Sequence, residues 1–134
     1  MAGYSGRPLP QKLGIKDGHV VVQLGGPATL LPDVQLRRRL PATADVVIFF
    51  ATERAVLERR LPALRASIEP AGSLWACWPK RASKVPTDIT EDVIRDVVLP
   101  TGLVDVKVCA IDHVWSGLKL VVRKELRSRP TSLS

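Results

Sequence analysis

Side chains able to do chemistry are concentrated in a few short stretches of this chain. The richest is Trp78-Pro79-Lys80-Arg81, followed by Lys84 and then by Thr87-Asp88. An indole plane beside three cations, running into a helix start whose amides favour anions, suits the phosphate or carboxylate of a small ligand. The competing reading is a solvated basic loop with Trp78 in the core, where Asp88 caps the same amides itself. Asp112, His113 and Ser116 are the residue types of a hydrolase triad, but one short turn without a nucleophile elbow cannot set up that geometry. Glu53 stands at a strand-to-helix junction, where a general base could sit and where the helix dipole also favours a carboxylate. His19 and His113 are the only histidines, and Cys77 and Cys109 the only cysteines, with no CxxC spacing. No multi-histidine or cysteine metal centre follows from that set, and both thiols read as small buried hydrophobes.

These groups must be held by a small set of elements. Met1–Ile15, with Gly3, Gly6, Pro8 and Pro10, reads as irregular with at most one helical turn near Gln11–Leu13, and Lys16-Asp17-Gly18 as a turn. His19–Leu24 is an apolar β-branched run bounded by Gly18 and Gly25-Gly26, the profile of a buried strand. Val34–Leu40 is a second, shorter strand ending in arginines. Asp45–Ala51 is near-continuously apolar, which points to a parallel sheet covered on both sides. Leu57, Leu61, Leu64 and Ile68 mark a helix over Glu53–Ile68, with a kink or restart expected at Pro62. Ser73–Trp78 is a further buried strand. A helix is expected from Thr87-Asp88, where Asp88 and Glu91 have capping-box spacing. Leu103–Ile111 and Leu118–Arg123 alternate and should form an antiparallel hairpin, with Trp115-Ser116-Gly117 in the connection.

Length and composition bound the rest. At 134 residues, 46% hydrophobic and 25% charged, the chain is expected to form one globular domain with a real core. The expected division is an irregular segment at 1–15, a single α/β domain at 16–124 and a flexible tail at 125–134. No apolar run reaches a membrane span and no signal-peptide core opens the chain, so a cytoplasmic protein with no membrane partner is expected. Net charge is +7, concentrated in Arg37-Arg38-Arg39, in Lys80–Lys84 and after Lys119, while Val85–Asp112 is acidic. That bias raises nucleic acid as a partner. The 4% aromatic content argues against a stacking platform for single strands.

Lys16-Asp17-Gly18-His19-Val20-Val21-Val22 followed by Gly25-Gly26 resembles the turn and first strand of S-adenosylmethionine-dependent methyltransferases. Ala44-Asp45-Val46-Val47-Ile48 is similar to their fourth strand and Glu69-Pro70-Ala71-Gly72-Ser73-Leu74-Trp75 to their fifth. Leu118-Lys119-Leu120-Val121-Val122-Arg123-Lys124 looks like the last. The chain also resembles short bacterial Rossmann-like proteins with Trp-Pro-Lys and Trp-Ser-Gly-Leu-Lys strings, themselves similar to degenerate methyltransferases. The resemblance spans about Lys12–Lys124. It implies an α/β fold: a small, truncated Rossmann-like (methyltransferase-like), mostly parallel sheet with a C-terminal antiparallel hairpin. It also implies S-adenosylmethionine as the cofactor to consider.

Three departures from the family pattern bear on activity. Pro27 follows Gly25-Gly26 where a glycine-rich loop would continue. Arg37-Arg38-Arg39 stands where an acidic residue would meet the ribose, and Phe49-Phe50-Ala51-Thr52-Glu53 carries no Asn-Pro-Pro-Tyr-like string. The resulting expectation is a non-catalytic domain that binds a small anionic or adenosyl ligand or a protein partner. Because ligands of parallel sheets bind beyond the strands' carboxyl ends, the expected lining is Gly25, Gly26, Thr52, Glu53, Trp78, Lys80, Arg81, Lys84 and Trp115. The alternatives are a small methyltransferase and a basic nucleic-acid accessory protein. A homodimer joined along an exposed sheet edge is also consistent with the sequence.

Overall fold

A computed structural model describes residues 7–127. One six-stranded sheet organises them: β1 (Val21–Leu24), β2 (Leu36–Arg37), β3 (Val46–Phe50), β4 (Ser73–Pro79), β5 (Leu103–Ala110) and β6 (Trp115–Val122). The strand order is β2-β1-β3-β4-β6-β5. β1 to β4 are mutually parallel, while β6 runs antiparallel to both β4 and β5. This is the α/β, mostly parallel sheet with a closing hairpin that the sequence implies. All five residues of β3 and all seven of β4 are buried, as expected for central parallel strands covered on both faces.

Different material covers the two faces. On one, Leu57, Leu61, Leu64 and Ile68 of α2 (Arg54–Ile68), with Ile94 and Val98 of α3 (Glu91–Val98), pack on Val22, Val47, Phe49, Leu74, Leu118 and Leu120. On the other, Val21, Ile48, Phe50, Trp75 and Cys77 are covered mainly by irregular chain, through Leu13 and Leu31. The N-terminal part of this cover contains one helical turn, α1 (Leu9–Lys12). Its anchor is Leu13, fully buried, whose carbonyl accepts the Trp75 indole N–H at 3.1 Å.

Several expected boundaries move, for identifiable reasons. The first strand starts at Val21 rather than His19, because the His19 imidazole Nδ1 accepts the Lys16 amide at 3.1 Å and keeps that stretch in a turn. The second strand shrinks from seven residues to Leu36–Arg37. α2 runs unbroken through Pro62, so no restart occurs there. α3 starts at Glu91 rather than Thr87-Asp88, with Thr90 Oγ1 accepting the Val93 amide at 3.2 Å as the cap. Trp115-Ser116-Gly117 belongs to β6, paired with Pro79, Trp78 and Cys77, and is not a connection. The hairpin turn is shorter, with Asp112 Oδ1 accepting the amides of Val114 and Trp115, each at 2.8 Å. The expected tail beyond Arg127 and the first six residues lie outside the described residues.

Candidate functional site

The chain order reverses direction between β1 and β3, with β2 on one side and β4 on the other. Parallel sheets bind ligands at such a switch point, beyond the carboxyl ends of the strands. Here that place is formed by Gly25-Gly26 after β1 and by Ala51-Thr52-Glu53 after β3. Gly25 (φ +84°) and Gly26 (φ +76°) lie in the left-handed region that favours glycine. One side of the glycine turn is exposed to water, and the other lies on Phe50. A Cβ added at Gly26 would fall 2.6 Å from two carbons of the Phe50 ring. That ring meets Trp115 edge-on, 5.0 Å between centroids at 88°. The predicted residues Gly25, Gly26 and Trp115 therefore do come together, around an aromatic side chain of the protein itself.

The turn is also tied from inside. The side-chain amide of Gln23 donates to the carbonyls of Gly25 (2.9 Å) and Pro27 (2.8 Å). Its other atom, Oε1, is buried without a hydrogen-bond partner among the described residues, an arrangement that costs about 1–3 kcal/mol. Beyond β2, the side of the turn where the resemblance implies an acidic residue carries Arg38, whose Nη2 reaches the Ala28 carbonyl at 3.5 Å.

Thr52 and Glu53 precede α2, whose first amide is taken from within the protein. Asp88 Oδ1 accepts the Arg54 amide at 2.7 Å, and the Thr52 carbonyl accepts the Thr87 hydroxyl at 2.7 Å. Asp88 thus caps α2 across the fold rather than opening α3, and an internal carboxylate occupies the position an external anion would take. Glu53 is exposed and makes no capping bond.

The residues of the basic loop have separate surroundings. Trp78 is buried in the helix-covered core. Lys80 Nζ donates to the Asp112 carbonyl at 2.7 Å, tying the loop to the hairpin. Arg81 and Lys84 are exposed on either side of a single 3-10 turn. Nor do the arginines after β2 join them, since two strands, roughly 14 Å of sheet, separate β2 from β4. Cys77 and Cys109 face Gly117 from its two neighbouring strands. Burial, then the proximity of Cys109 and Asp112, pushes the Cys77 thiol well above its ordinary pKa, which suits the small-hydrophobe reading.

Two cavities lie elsewhere, and neither is lined by any of the predicted site residues. The larger, about 750 Å³, opens at the amino ends of β1 and β2 beside Asp17, His19, Asp33 and Arg37. The smaller, about 420 Å³, lies beneath the N-terminal segment and is lined by Lys12, Lys16, Lys107 and Lys119. Sequence reasoning missed both. Their residues are distributed over distant segments, and the one local signal was the alternation that placed Lys107 and Lys119 on strands of one hairpin. Among the described residues, no group of three or more His, Cys, Asp or Glu side chains could hold a metal, and no helix is long and apolar enough to cross a membrane.

No family model and no curated protein sequence matches the chain. Solved structures do. An S-adenosylmethionine-dependent methyltransferase from Aquifex aeolicus matches with a TM-score of 0.59 at 16% identity, over 84% of this chain and 87% of that one. A type 11 methyltransferase from Sulfolobus solfataricus, its assignment itself provisional, matches with a TM-score of 0.61 at 11% identity, over 90% and 93%. At those identities the likeness is one of architecture: the chain has a methyltransferase-like Rossmann fold.

Proposed function

We propose that this is a methyltransferase-like domain that does not carry out methyl transfer and serves as a small-ligand-binding or protein-interaction module. The observation that carries this reading is the Phe50 ring seated against Gly26 and Trp115 at the switch point. Three further features agree with it. Arg38 stands beside the turn where a ribose-binding carboxylate would be needed. Pro27 offers no backbone donor, and the amide of Gln23 holds the turn's carbonyls inward. Asp88 already takes the first amide of α2. These residues do not fit an adenosyl cofactor.

Thermal unfolding with and without saturating S-adenosylhomocysteine tests the reading. A ligand at about 100 times its Kd adds roughly 2.7 kcal/mol, which at this size raises Tm by several degrees. The expected result is an unchanged Tm. A rise of that size would overturn the exclusion of an adenosyl group from the switch point, and methyl transfer to an added acceptor would then overturn the non-catalytic reading.

A further inference from the structure

The cavity of about 420 Å³ under the N-terminal segment has an unusual lining: Arg7, Lys12, Lys16, Lys107 and Lys119, with no carboxylate among its lining residues. Lys107 and Lys119 are directly opposite each other across the β5–β6 pair. Like charges in that relation destabilise a sheet. The N-terminal segment adds Lys12 and Lys16 to the same lining, and Lys12 Nζ is held by the Ala110 carbonyl, three residues along β5 from Lys107, at 3.3 Å. Lys119 Nζ reaches beneath Gly14, 3.7 Å from where a Cβ on that glycine would be. Burial first, then the Lys107 charge, lowers the Lys119 pKa, so this ammonium is incompletely compensated by its surroundings.

We propose that this cavity is a binding site for a compact polyphosphate anion, such as the di- or triphosphate group of a small molecule. Several lysines lining one concave site match an anion carrying several charges, and lysines act on phosphate as point charges. The lining contains no aromatic side chain on which a base could stack, and the volume falls within the usual range for small ligands. The chemistry read here is therefore that of the phosphates. The site lies away from the switch point, so the inference goes beyond the function proposed above and does not depend on it.

Calorimetric titration of the full chain with sodium tripolyphosphate tests the inference. The expected result is one-to-one binding that weakens as salt rises. Lys107→Gln should weaken it about tenfold or more. It should also leave the Tm of the unliganded protein unchanged or raised by about a degree, because a like-charge contact is removed. Lys119→Gln should act in the same direction, and serves if the first variant does not fold. Arg59→Gln, which removes one charge from the exposed side of α2, should bind tripolyphosphate as the parent does. Absence of binding at millimolar tripolyphosphate, or equal loss in all three variants, would overturn the site. Tighter binding of a single-stranded oligonucleotide, lost with Lys107→Gln, would overturn the small-ligand assignment in favour of a nucleic-acid backbone.

Discussion

The two faces of this sheet present the same kind of apolar strand surface to very different cover. Under α2 and α3, leucines at helical spacing fill the space against Val47, Leu74 and Leu118. Over Val21, Ile48 and Trp75 the cover is mainly irregular chain, pinned at Leu13 and Leu31. Both cavities are lined by residues of that irregular N-terminal segment. A helix presents a continuous ridge that packs to native density, whereas an irregular strand of chain touches a sheet at intervals and leaves gaps between its anchors. In this molecule both faces bury a core, and the concave surface lies on the irregularly covered one.

The largest expected effect comes from breaking the helical face. Leu64→Ala empties a fully buried position between α2 and the sheet and should cost about 2–5 kcal/mol in urea unfolding. It should weaken the whole domain together. A loss below about 1 kcal/mol would mean that α2 contributes far less than its burial suggests.

Trp75→Phe strikes the other face. It keeps an aromatic ring but shrinks a fully buried side chain and removes the donor to the Leu13 carbonyl, which by itself costs about 1–3 kcal/mol. The more telling readout is local. Amide hydrogen exchange should accelerate in the hydrogen bonds of the N-terminal turn, such as Leu13 N–H to the Leu9 carbonyl, and leave α2 unchanged. Equal acceleration in both regions would show that the two covers open as one unit.

The same contrast explains what was legible in the sequence. The continuous run at Val46–Phe50 and the four-residue spacing of Leu57 and Leu61 are local patterns, and they place β3 and α2 within a residue or two of where they lie. Trp115 was misplaced into a connection because the turn that sends the chain back is made by one side chain, Asp112, bonding two amides just ahead of it. Asp88 has the spacing of a cap for the helix that follows, yet it caps α2, thirty-four residues earlier. That choice depends on which loops meet in space. The candidate site suffered most from the same blindness. Gly25-Gly26 is visible as the end of a strand, but Phe50 beneath it and Lys119 under Gly14 both arise from long-range placement.

The smallest expected effects are in the pH dependence of stability, where the two faces should pull at opposite ends of the scale. On the helical face, Arg95 bonds Asp105 at 2.9 Å and so joins α3 to β5. The hydrogen bond from Arg95 holds the Asp105 carboxyl below its ordinary pKa. A depressed carboxylate stabilises the fold above its unfolded pKa of about 3.9, and that contribution is lost as pH falls through the lower folded value. Asp105→Asn should therefore flatten the acid limb by slightly lowering stability at neutral pH, since such partly exposed pairs contribute little, and leave stability in strong acid unchanged. On the irregular face, burial and Lys107 depress the Lys119 pKa, which penalises the charged form in the folded state. That penalty is present throughout neutral pH. It is relieved as pH rises from the lowered folded value towards the ordinary lysine value of about 10.4, because the unfolded chain then binds more protons than the folded one. Stability from this group should rise across that window, and Lys119→Gln should remove the rise. Lys107→Gln should shrink it without abolishing it, since burial is the larger cause and Lys107 the smaller. An alkaline limb identical in all three proteins would show that the lysines under Gly14 do not feel one another, and the basic cavity would lose its electrostatic basis.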